Sequence, residues 1–224
     1  MKGFMLVAVL LLGLSSCKNE PAKSEMNKAA TQDTETQKPE IPKKAIVFFG
    51  NSLVAAYQLS LEEGFVALIQ QKIDSLGLEY TCVNAGISGE TTADGVNRID
   101  WVLQQPMDVF VLELGANDAL RGLPISESVK NLQTIVDKVR TARPTCKIVI
   151  AGMLAPPNLG AVYTNAFRDM YPRLAKKNEA LLIPFLLDEV AGIPSLNLED
   201  GIHPNVEGQK IVAETVWRVL KEAL

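Results

Sequence analysis

The chain has 224 residues, with 22 lysines and arginines against 26 aspartates and glutamates, and its formal net charge at pH 7 is −4. This negative balance argues against a nucleic acid as partner, because such proteins carry basic patches for the phosphate backbone. One histidine and no closely spaced pair of cysteines argue against a zinc site.

The first 17 residues have the order of an export signal. Lys2 precedes an apolar run from Gly3 to Leu14, which is shorter than the roughly 20 residues needed to span a bilayer. The segment Leu14–Cys17 resembles the lipobox of bacterial lipoproteins. That resemblance implies lipidation of Cys17 and an exported protein held on a membrane, in the periplasm or at the cell surface. The alternative is an ordinary signal peptide in which Cys17 is incidental.

Residues 18–43 are rich in Lys, Glu, Thr, Gln and Pro and have almost nothing apolar to bury. This composition predicts a disordered tether, and its mixed charges do not make a polybasic membrane anchor. The remaining residues, 44–224, are enough for one domain that buries roughly 70% of its unfolded surface.

Five short apolar runs predict strands. The runs are continuous rather than alternating, as in Val47-Phe48-Phe49, which is typical of strands covered on both faces. The predicted strands are 45–49, 79–84, 107–114, 146–153 and 180–186.

Helical patterns lie between these strands. Ser60–Glu63 is a capping box that predicts the start of the first helix, which ends at Gly77. Four of the predicted helices have an apolar face. The residues of these faces are Phe65, Leu68, Ile69, Ile73 and Leu76 in the first helix, Val96, Ile99 and Leu103 in the second, Val129, Leu132, Val136 and Val139 in the third, and Val212, Val216, Val219 and Leu220 in the last. A further helix is predicted over 165–178, where Pro172 should kink or break it.

The alternation of strands and helices predicts an α/β fold with three layers, α/β/α, around a five-stranded parallel sheet. We expect the flavodoxin-like strand order 2-1-3-4-5. This order separates the strands of Cys82 and Cys146 by three spacings of about 4.8 Å, which is too far for a disulfide. Function in such sheets gathers at the carboxyl ends of the strands, where the strand order reverses.

The loops at these strand ends carry candidate catalytic residues. Ser52 follows the first strand, where a turn can expose its hydroxyl near backbone amides, although it could equally be a helix cap. His203, the single histidine, stands three residues after Asp200. A carboxylate at that spacing can hold the imidazole in one tautomer, although the two residues could also merely form a turn.

Two further loops offer hydrogen-bond donors. The loop after the second strand contains Gly86 and Gly89, and glycine lets backbone N–H groups approach a ligand closely. The loop Leu114–Asp118 contains Asn117, whose side chain carries an NH₂ group. Each loop could alone be an ordinary turn. Together, the N–H groups of Ser52 and Gly89 and the Asn117 amide could stabilise one developing oxyanion.

Four sequence blocks in this order resemble those of the SGNH (GDSL-type) hydrolases. The blocks are Gly50–Leu53, Asn84–Thr91, Gly115–Asp118 and Asp200–Pro204. The resemblance covers nearly all of residues 45–224 and points to the bacterial thioesterase I/lysophospholipase/arylesterase branch. It implies a catalytic triad of Ser52 as nucleophile, His203 as base and then acid, and Asp200 as orienting carboxylate. It also implies an oxyanion hole from Ser52, Gly89 and Asn117, and neither metal nor cofactor.

The chain departs from the family pattern at Asn51, where the residue before the nucleophile is usually aspartate. Asparagine keeps the size and one acceptor but loses a charge and gains donors. We expect activity to survive with rearranged hydrogen bonds, and Asn51→Asp should not raise the turnover rate by about a hundredfold or more.

Other polar residues near the strand ends have simpler interpretations. Glu113 and Asp118 could be a carboxylate pair, although a solvated or sheet-end role is favoured. Arg121 is expected in a loop ion pair rather than as a substrate clamp. Trp101 and Trp217 are expected to pack on helices.

The loops after the third and fourth strands are apolar, and the resemblance implies that they flank an acyl pocket, although they could also be ordinary loop packing. The candidate substrate-binding residues are Leu120, Leu123, Met153, Leu154 and Leu159. Apolar walls favour an acyl chain, so we expect a small-molecule or lipid ester substrate, such as an aryl ester, a thioester or a lysophospholipid. Two alternatives stay open, namely a carbohydrate O-deacetylase of the same fold and a catalytically silent lipoprotein that binds a ligand or partner.

Overall fold

The structure, a computed structural model, describes residues 43–224. The predicted signal over residues 1–17, the lipidation site Cys17 and all but the last residue of the predicted tether over 18–43 lie outside the described residues. Among residues 43–224, no helix is both long enough and apolar enough to cross a membrane.

Five parallel strands form the centre of the domain, in the order β2-β1-β3-β4-β5, which confirms the predicted sheet. They are β1 (Lys44–Gly50), β2 (Tyr80–Gly86), β3 (Val109–Glu113), β4 (Lys147–Ala151) and β5 (Leu181–Ile183). In the register of the sheet, Gly50 lies opposite Gly86 on one side and Glu113 on the other. The loops that follow β1, β2 and β3 therefore leave the sheet at one common edge.

Within the described residues, six helices flank the sheet. They are α1 (Phe65–Ser75), α2 (Thr92–Val102), α3 (Ala116–Leu120), α4 (Ile125–Ala142), α5 (Ala161–Lys177) and α6 (Val206–Leu220). α1 packs beside α6, whereas α4 packs between α2 and α5. These two groups form the outer layers of the three-layer fold.

The core follows from the apolar strands. Ile46, Val47, Phe48 and Phe49 of β1 have no solvent-accessible surface, so the central strand is covered on both faces as its composition predicts. Phe48 meets Phe65 of α1 edge to face at 5.8 Å between ring centroids. This packing gives the turn after β1 a rigid base.

The structure corrects the predicted helices at three places. The capping box of Ser60 closes a short 3₁₀ turn, Leu61–Glu63, and α1 begins only at Phe65. The segment expected as a loop after Gly115 contains the short helix α3. α5 continues through Pro172 because that residue lies on the exposed side, where water can satisfy the carbonyl that loses its partner.

The two cysteines in the described residues are free thiols. Cys82 lies on β2 and Cys146 directly precedes β4, with β1 and β3 between these two strands. The predicted separation of their two strands is confirmed, and Cys146 is buried in the core.

Candidate active site

Ser52, His203 and Asp200 form one chain of hydrogen bonds. Ser52 Oγ lies 2.8 Å from His203 Nε2, and His203 Nδ1 lies 2.7 Å from Asp200 Oδ2. A neutral imidazole that donates from Nδ1 to Asp200 has Nε2 available to accept the Ser52 hydroxyl. The fold thus brings together three residues that the sequence predicts to act as a unit, although 151 positions separate the serine from the histidine.

The loop that carries His203 is organised largely by its own bonds. Asp200 Oδ1 accepts the backbone N–H groups of Ile202 and His203 at 2.8 and 3.0 Å, while Leu198 N donates to His203 O at 2.7 Å. Immediately afterwards, Asn205 Oδ1 accepts two backbone N–H groups and caps α6. Local sequence is therefore sufficient to present the imidazole.

The same bonds set the charge of Asp200. Burial acts to raise the pKa of this carboxyl, but the N–H groups of His203 and Ile202 and the imidazole outweigh it, and the pKa is lowered to about 2. Asp200 is consequently an anion throughout the pH range in which a histidine can act as a base.

Asn51 holds the turn that contains Ser52. Its backbone N–H and its side-chain Nδ2 donate to the Glu113 carboxylate at 3.0 and 2.9 Å. Its Oδ1 accepts the backbone N–H of Leu53 at 3.0 Å and lies 3.3 Å from Ser52 Oγ. The one residue that departs from the family pattern is thus fully buried and fully bonded beside the nucleophile, with an exposed fraction of 1%.

Glu113 is a buried acid that accepts two hydrogen bonds, both from Asn51. Burial raises its pKa to about 8, and the two N–H groups of Asn51 act in the opposite direction. The expected sheet-end position is confirmed, but the expected solvated environment is wrong, because β3 ends inside the core. Sequence alone gives no signal for this burial, since Glu113 is a charged residue at a strand end.

The loop after β2 presents Gly89 to the site. Gly89 has a backbone φ of +85°, which favours glycine. Its carbonyl accepts Arg121 Nη2 at 2.8 Å, and the next carbonyl, that of Glu90, accepts Asn117 Nδ2 at 2.9 Å. Arg121 therefore clamps a backbone carbonyl, and it does not form the expected loop ion pair with any of residues 43–224.

A largely buried ion pair holds the same loop from beneath. Arg98 donates from Nε and Nη2 to the two carboxylate oxygens of Glu90, each at 2.6 Å, and also donates to Ala85 O at 3.0 Å. The Arg98 guanidinium lies 4.1 Å from the centre of the Phe49 ring. Bidentate geometry and an aromatic face suit arginine in particular, so the loop is fixed with respect to β1.

Asp118 joins α3 to the neighbouring helices. Its carboxylate accepts the Thr92 N–H at 2.9 Å and the Ser128 hydroxyl at 3.1 Å, and it is 2% exposed. A solvated role, one of the two expected for this residue, is wrong because its carboxylate is buried among α2, α3 and α4. The bonds place Asn117, its neighbour, against the Gly89 loop.

Among residues 43–224, no group of three His, Cys, Asp or Glu side chains is placed to hold a metal ion.

Ser52, His203, Gly89 and Asn117 share one open cavity of about 240 Å³. Its other walls are Asn51, Leu53, Tyr57, Ser88, Ala116, Leu120, Met153, Leu187 and Ile202. Two of the predicted substrate-binding residues, Leu120 and Met153, therefore line it.

Three predicted substrate-binding residues do not line this cavity. Leu154 faces a separate depression with Pro157 and Ala161 and is 46% exposed. Leu159 ends the 3₁₀ turn next to it, and Leu123 is held by its carbonyl, which accepts the Tyr163 hydroxyl at 2.9 Å. The loop after β4 turns away from the nucleophile once it has passed Met153.

Tyr57 is a site residue that the sequence did not identify. Its ring lies 4.5 Å from the imidazole of His203, centroid to centroid, at an interplanar angle of 38°. It follows the nucleophile in an irregular segment with positive φ at Ala56 and Gln58. No spacing or periodicity in that segment could have predicted the contact.

Comparison with known proteins places this geometry among hydrolases. Residues 48–211 match the model of the GDSL-like Lipase/Acylhydrolase family. The chain is 36% identical to "Esterase TesA" of Pseudomonas aeruginosa over 81% of its own length and 90% of that protein. It is 34% identical to "Thioesterase 1/protease 1/lysophospholipase L1" of Escherichia coli, over 79% and 83% of the two chains.

A solved structure shows the same likeness. The psychrotrophic esterase EstA from Pseudoalteromonas sp., in a form inhibited by monoethylphosphonate, superposes with a TM-score of 0.75 at 33% identity. The match covers 80% of this chain and 98% of that one.

Proposed function

The chain belongs to the GDSL-like lipase/acylhydrolase family and is an ester-bond hydrolase, and we propose that it works through a covalent acyl intermediate on Ser52. The observation that carries the proposal is the chain of bonds from Ser52 Oγ through His203 to Asp200, at 2.8 and 2.7 Å. A nucleophile, a base within hydrogen-bond reach and a group that orients the base are the parts that acyl transfer needs.

In the first step, Ser52 Oγ attacks the ester carbonyl carbon while His203 Nε2 takes the serine proton. His203 then returns that proton to the departing alcohol, and the acyl group stays on Ser52. In the second step His203 activates a water molecule, which attacks the acyl-serine and releases the acid. Asp200 stays ionised throughout and stabilises the imidazolium.

Three donors are assigned to the oxyanion, the N–H groups of Ser52 and Gly89 and the side chain of Asn117. All three residues line the cavity beside the nucleophile. Asn117 Nδ2 commits one hydrogen to Glu90 O and has the second available for the substrate oxygen. Donors fixed in advance cost no reorganisation when the negative charge develops.

The cavity favours an apolar acyl group of modest size. Its walls include Leu53, Leu120, Met153, Leu187 and Ile202, which offer no hydrogen bonds to sugar hydroxyls. Its 240 Å³ lies below the roughly 300–1,000 Å³ typical of pockets that enclose a whole ligand. We assign carboxylic esters with short or medium acyl chains, and a longer chain would extend onto the open surface.

A series of p-nitrophenyl esters from acetyl to palmitoyl tests this assignment. We expect kcat/KM to peak at short to medium chains and Ser52→Ala to abolish hydrolysis of every member. Strict preference for acetyl esters would instead favour the carbohydrate O-deacetylase. Hydrolysis by Ser52→Ala at the wild-type rate would remove the serine from the mechanism.

We also propose that lipidated Cys17 attaches the enzyme to a membrane, on the strength of the segment Leu14–Cys17. Metabolic labelling with an alkyne-bearing palmitate should mark the full-length chain and place it in the membrane fraction. Cys17→Ala should lose both the label and the membrane association. Equal membrane association of the two proteins would contradict the assignment, and Cys82→Ala is the matched control.

A further inference from the structure

We propose that Glu113 is a positioning residue for the nucleophile, acting through Asn51. The inference rests on the proposed function of Ser52 and adds a residue that never touches the substrate. Glu113 accepts both N–H groups that Asn51 directs towards β3, at 3.0 Å from the backbone and 2.9 Å from the side chain. These two bonds determine which end of the Asn51 amide faces Ser52.

The two ends of an amide are not interchangeable at this site. On one side, Glu113 Oε1 accepts a hydrogen bond from Nδ2 at 2.9 Å, as the oxygen of a carbonyl or a carboxylate does. On the other side, the backbone N–H of Leu53 can only donate, so it requires Oδ1 at 3.0 Å. One orientation satisfies both neighbours, and the reverse orientation opposes two donors at Leu53.

Burial fixes this orientation of the Asn51 amide. Asn51 and Glu113 are each 1% exposed, so water cannot replace a lost bond at either residue. The close approach is built into the sheet by Gly50, because a Cβ at that position would lie 2.5 Å from Glu113 Oε2. Gly50 and Asn51, the two residues that precede Ser52, are thus fitted around one buried carboxyl group.

The orientation of the Asn51 amide affects the reacting atoms through the backbone of Ser52 and Leu53. Leu53 N is anchored on Asn51 Oδ1, and Ser52 lies between them with its Oγ 2.8 Å from His203 Nε2. A reversed Asn51 amide would displace Leu53 and shift both the Ser52 hydroxyl and the Ser52 N–H. Misplacement of a reacting group by about 1 Å can cost roughly a hundredfold in rate.

The test exchanges the hydrogen-bond donor and acceptor between positions 51 and 113. Glu113→Gln keeps the size of the side chain but offers Asn51 an NH₂ group in place of one acceptor. We expect kcat for a short p-nitrophenyl ester to fall roughly 10- to 100-fold with KM within about threefold of the wild-type value. The double variant Asn51→Asp/Glu113→Gln restores a donor opposite an acceptor, and its kcat should return to within about fivefold of wild type.

Asp108→Asn is the matched control. Asp108 Oδ2 accepts the backbone N–H of Ala45 at 2.8 Å, so it bridges the same two strands at the opposite end of the sheet. Its kcat should equal that of the wild type, and thermal midpoints of all variants identify any that fail to fold.

Wild-type kcat in Glu113→Gln, or a double variant no faster than Glu113→Gln, would overturn the positioning role. If Glu113→Gln does not fold, the double variant decides alone, and a kcat more than about fiftyfold below wild type contradicts the proposal. The proposed function fails separately, through an active Ser52→Ala, so the two failures cannot be confused.

Discussion

The two halves of the active site are held in place by different means. The oxyanion half, which comprises the turn at Ser52, the Gly89 loop and Asn117, depends on bonds between distant residues. Asn51 and Glu113 are 62 positions apart, and Asn117 reaches a carbonyl 27 positions away. The base half, Leu198–Asn205, holds His203 chiefly by bonds within its own loop.

Burial follows the same division. The side chains of His203 and Asp200 are 17% and 33% exposed, whereas Asn51 and Glu113 are 1% exposed. The residues that support the Ser52 turn therefore lie in the core, although Gly89 is exposed and Asn117 is half-buried, and the base half is a surface loop. Changes in the base half should cost activity alone, and changes in the oxyanion half should cost activity and stability together.

The largest expected effect belongs to His203→Ala. Removing the base should lower kcat by about 10⁴- to 10⁶-fold, as the loss of one member of such a unit does. The thermal midpoint should move by less than about 3 °C, since the loop keeps its backbone bonds. Steady-state kinetics and a thermal melt measure both quantities, and activity within tenfold of wild type would exclude the histidine as base.

Asn117→Ala probes the oxyanion half. We expect kcat to fall about 10²- to 10³-fold with little change in KM, because the lost bond forms only as charge develops. Unlike the histidine variant, it also removes a donor to Glu90 O and should cost about 1 kcal/mol of stability. A loss confined to KM would assign Asn117 to substrate binding instead.

Arg98→Met should lower the free energy of unfolding more than Asn117→Ala does. It leaves the Glu90 carboxylate, 10% exposed, without its partner, and should cost about 3 kcal/mol in the free energy of unfolding. The thermal midpoint should then fall by roughly 6–12 °C, and kcat should fall because Gly89 loses its support.

Lys72→Met is the control for that variant. It breaks an ion pair with Glu214 in which the two side chains are 32% and 63% exposed, and it should cost less than about 1 kcal/mol. Equal destabilisation by the two variants would mean that the Arg98 pair behaves as a surface pair.

The smallest expected effect is that of moderate acidification. The lowered pKa of Asp200, about 2, means that its contribution to stability is present above the ordinary value of 3.8 and is lost only as pH falls through about 2. Between pH 8 and 5, kcat/KM should fall because general-base catalysis is lost on acidification, while Asp200 stays ionised. A flat profile over this range would contradict the assignment.

This division also explains what could be read from the sequence. The base half could be predicted because Asp200 and His203 are three residues apart, and such a spacing can be recognised in the sequence without knowledge of the fold. The sheet was equally accessible, since continuous apolar runs such as Val47-Phe48-Phe49 predict buried parallel strands. The resemblance to SGNH hydrolases then supplied roles for residues of the oxyanion half.

Contacts between distant side chains could not be predicted in this way. From the sequence, Glu113 is predicted as a polar residue at a strand end. Only the register of β1 and β3 shows that it lies against Asn51. Tyr57 gives no pattern that would predict its contact with the His203 ring, and Leu154 and Leu159 lie on the loop between β4 and α5, whose direction the sequence does not reveal. Each of these facts depends on tertiary packing, which overrides local sequence preference.

The most direct measurement of the central claim is covalent labelling of the full chain with a fluorophosphonate, followed by intact mass and peptide mapping. We expect one adduct, on Ser52, that forms slowly in His203→Ala and is absent from Ser52→Ala. A protein that hydrolyses esters while Ser52 stays unlabelled, or that carries its adduct on another residue, would contradict the account.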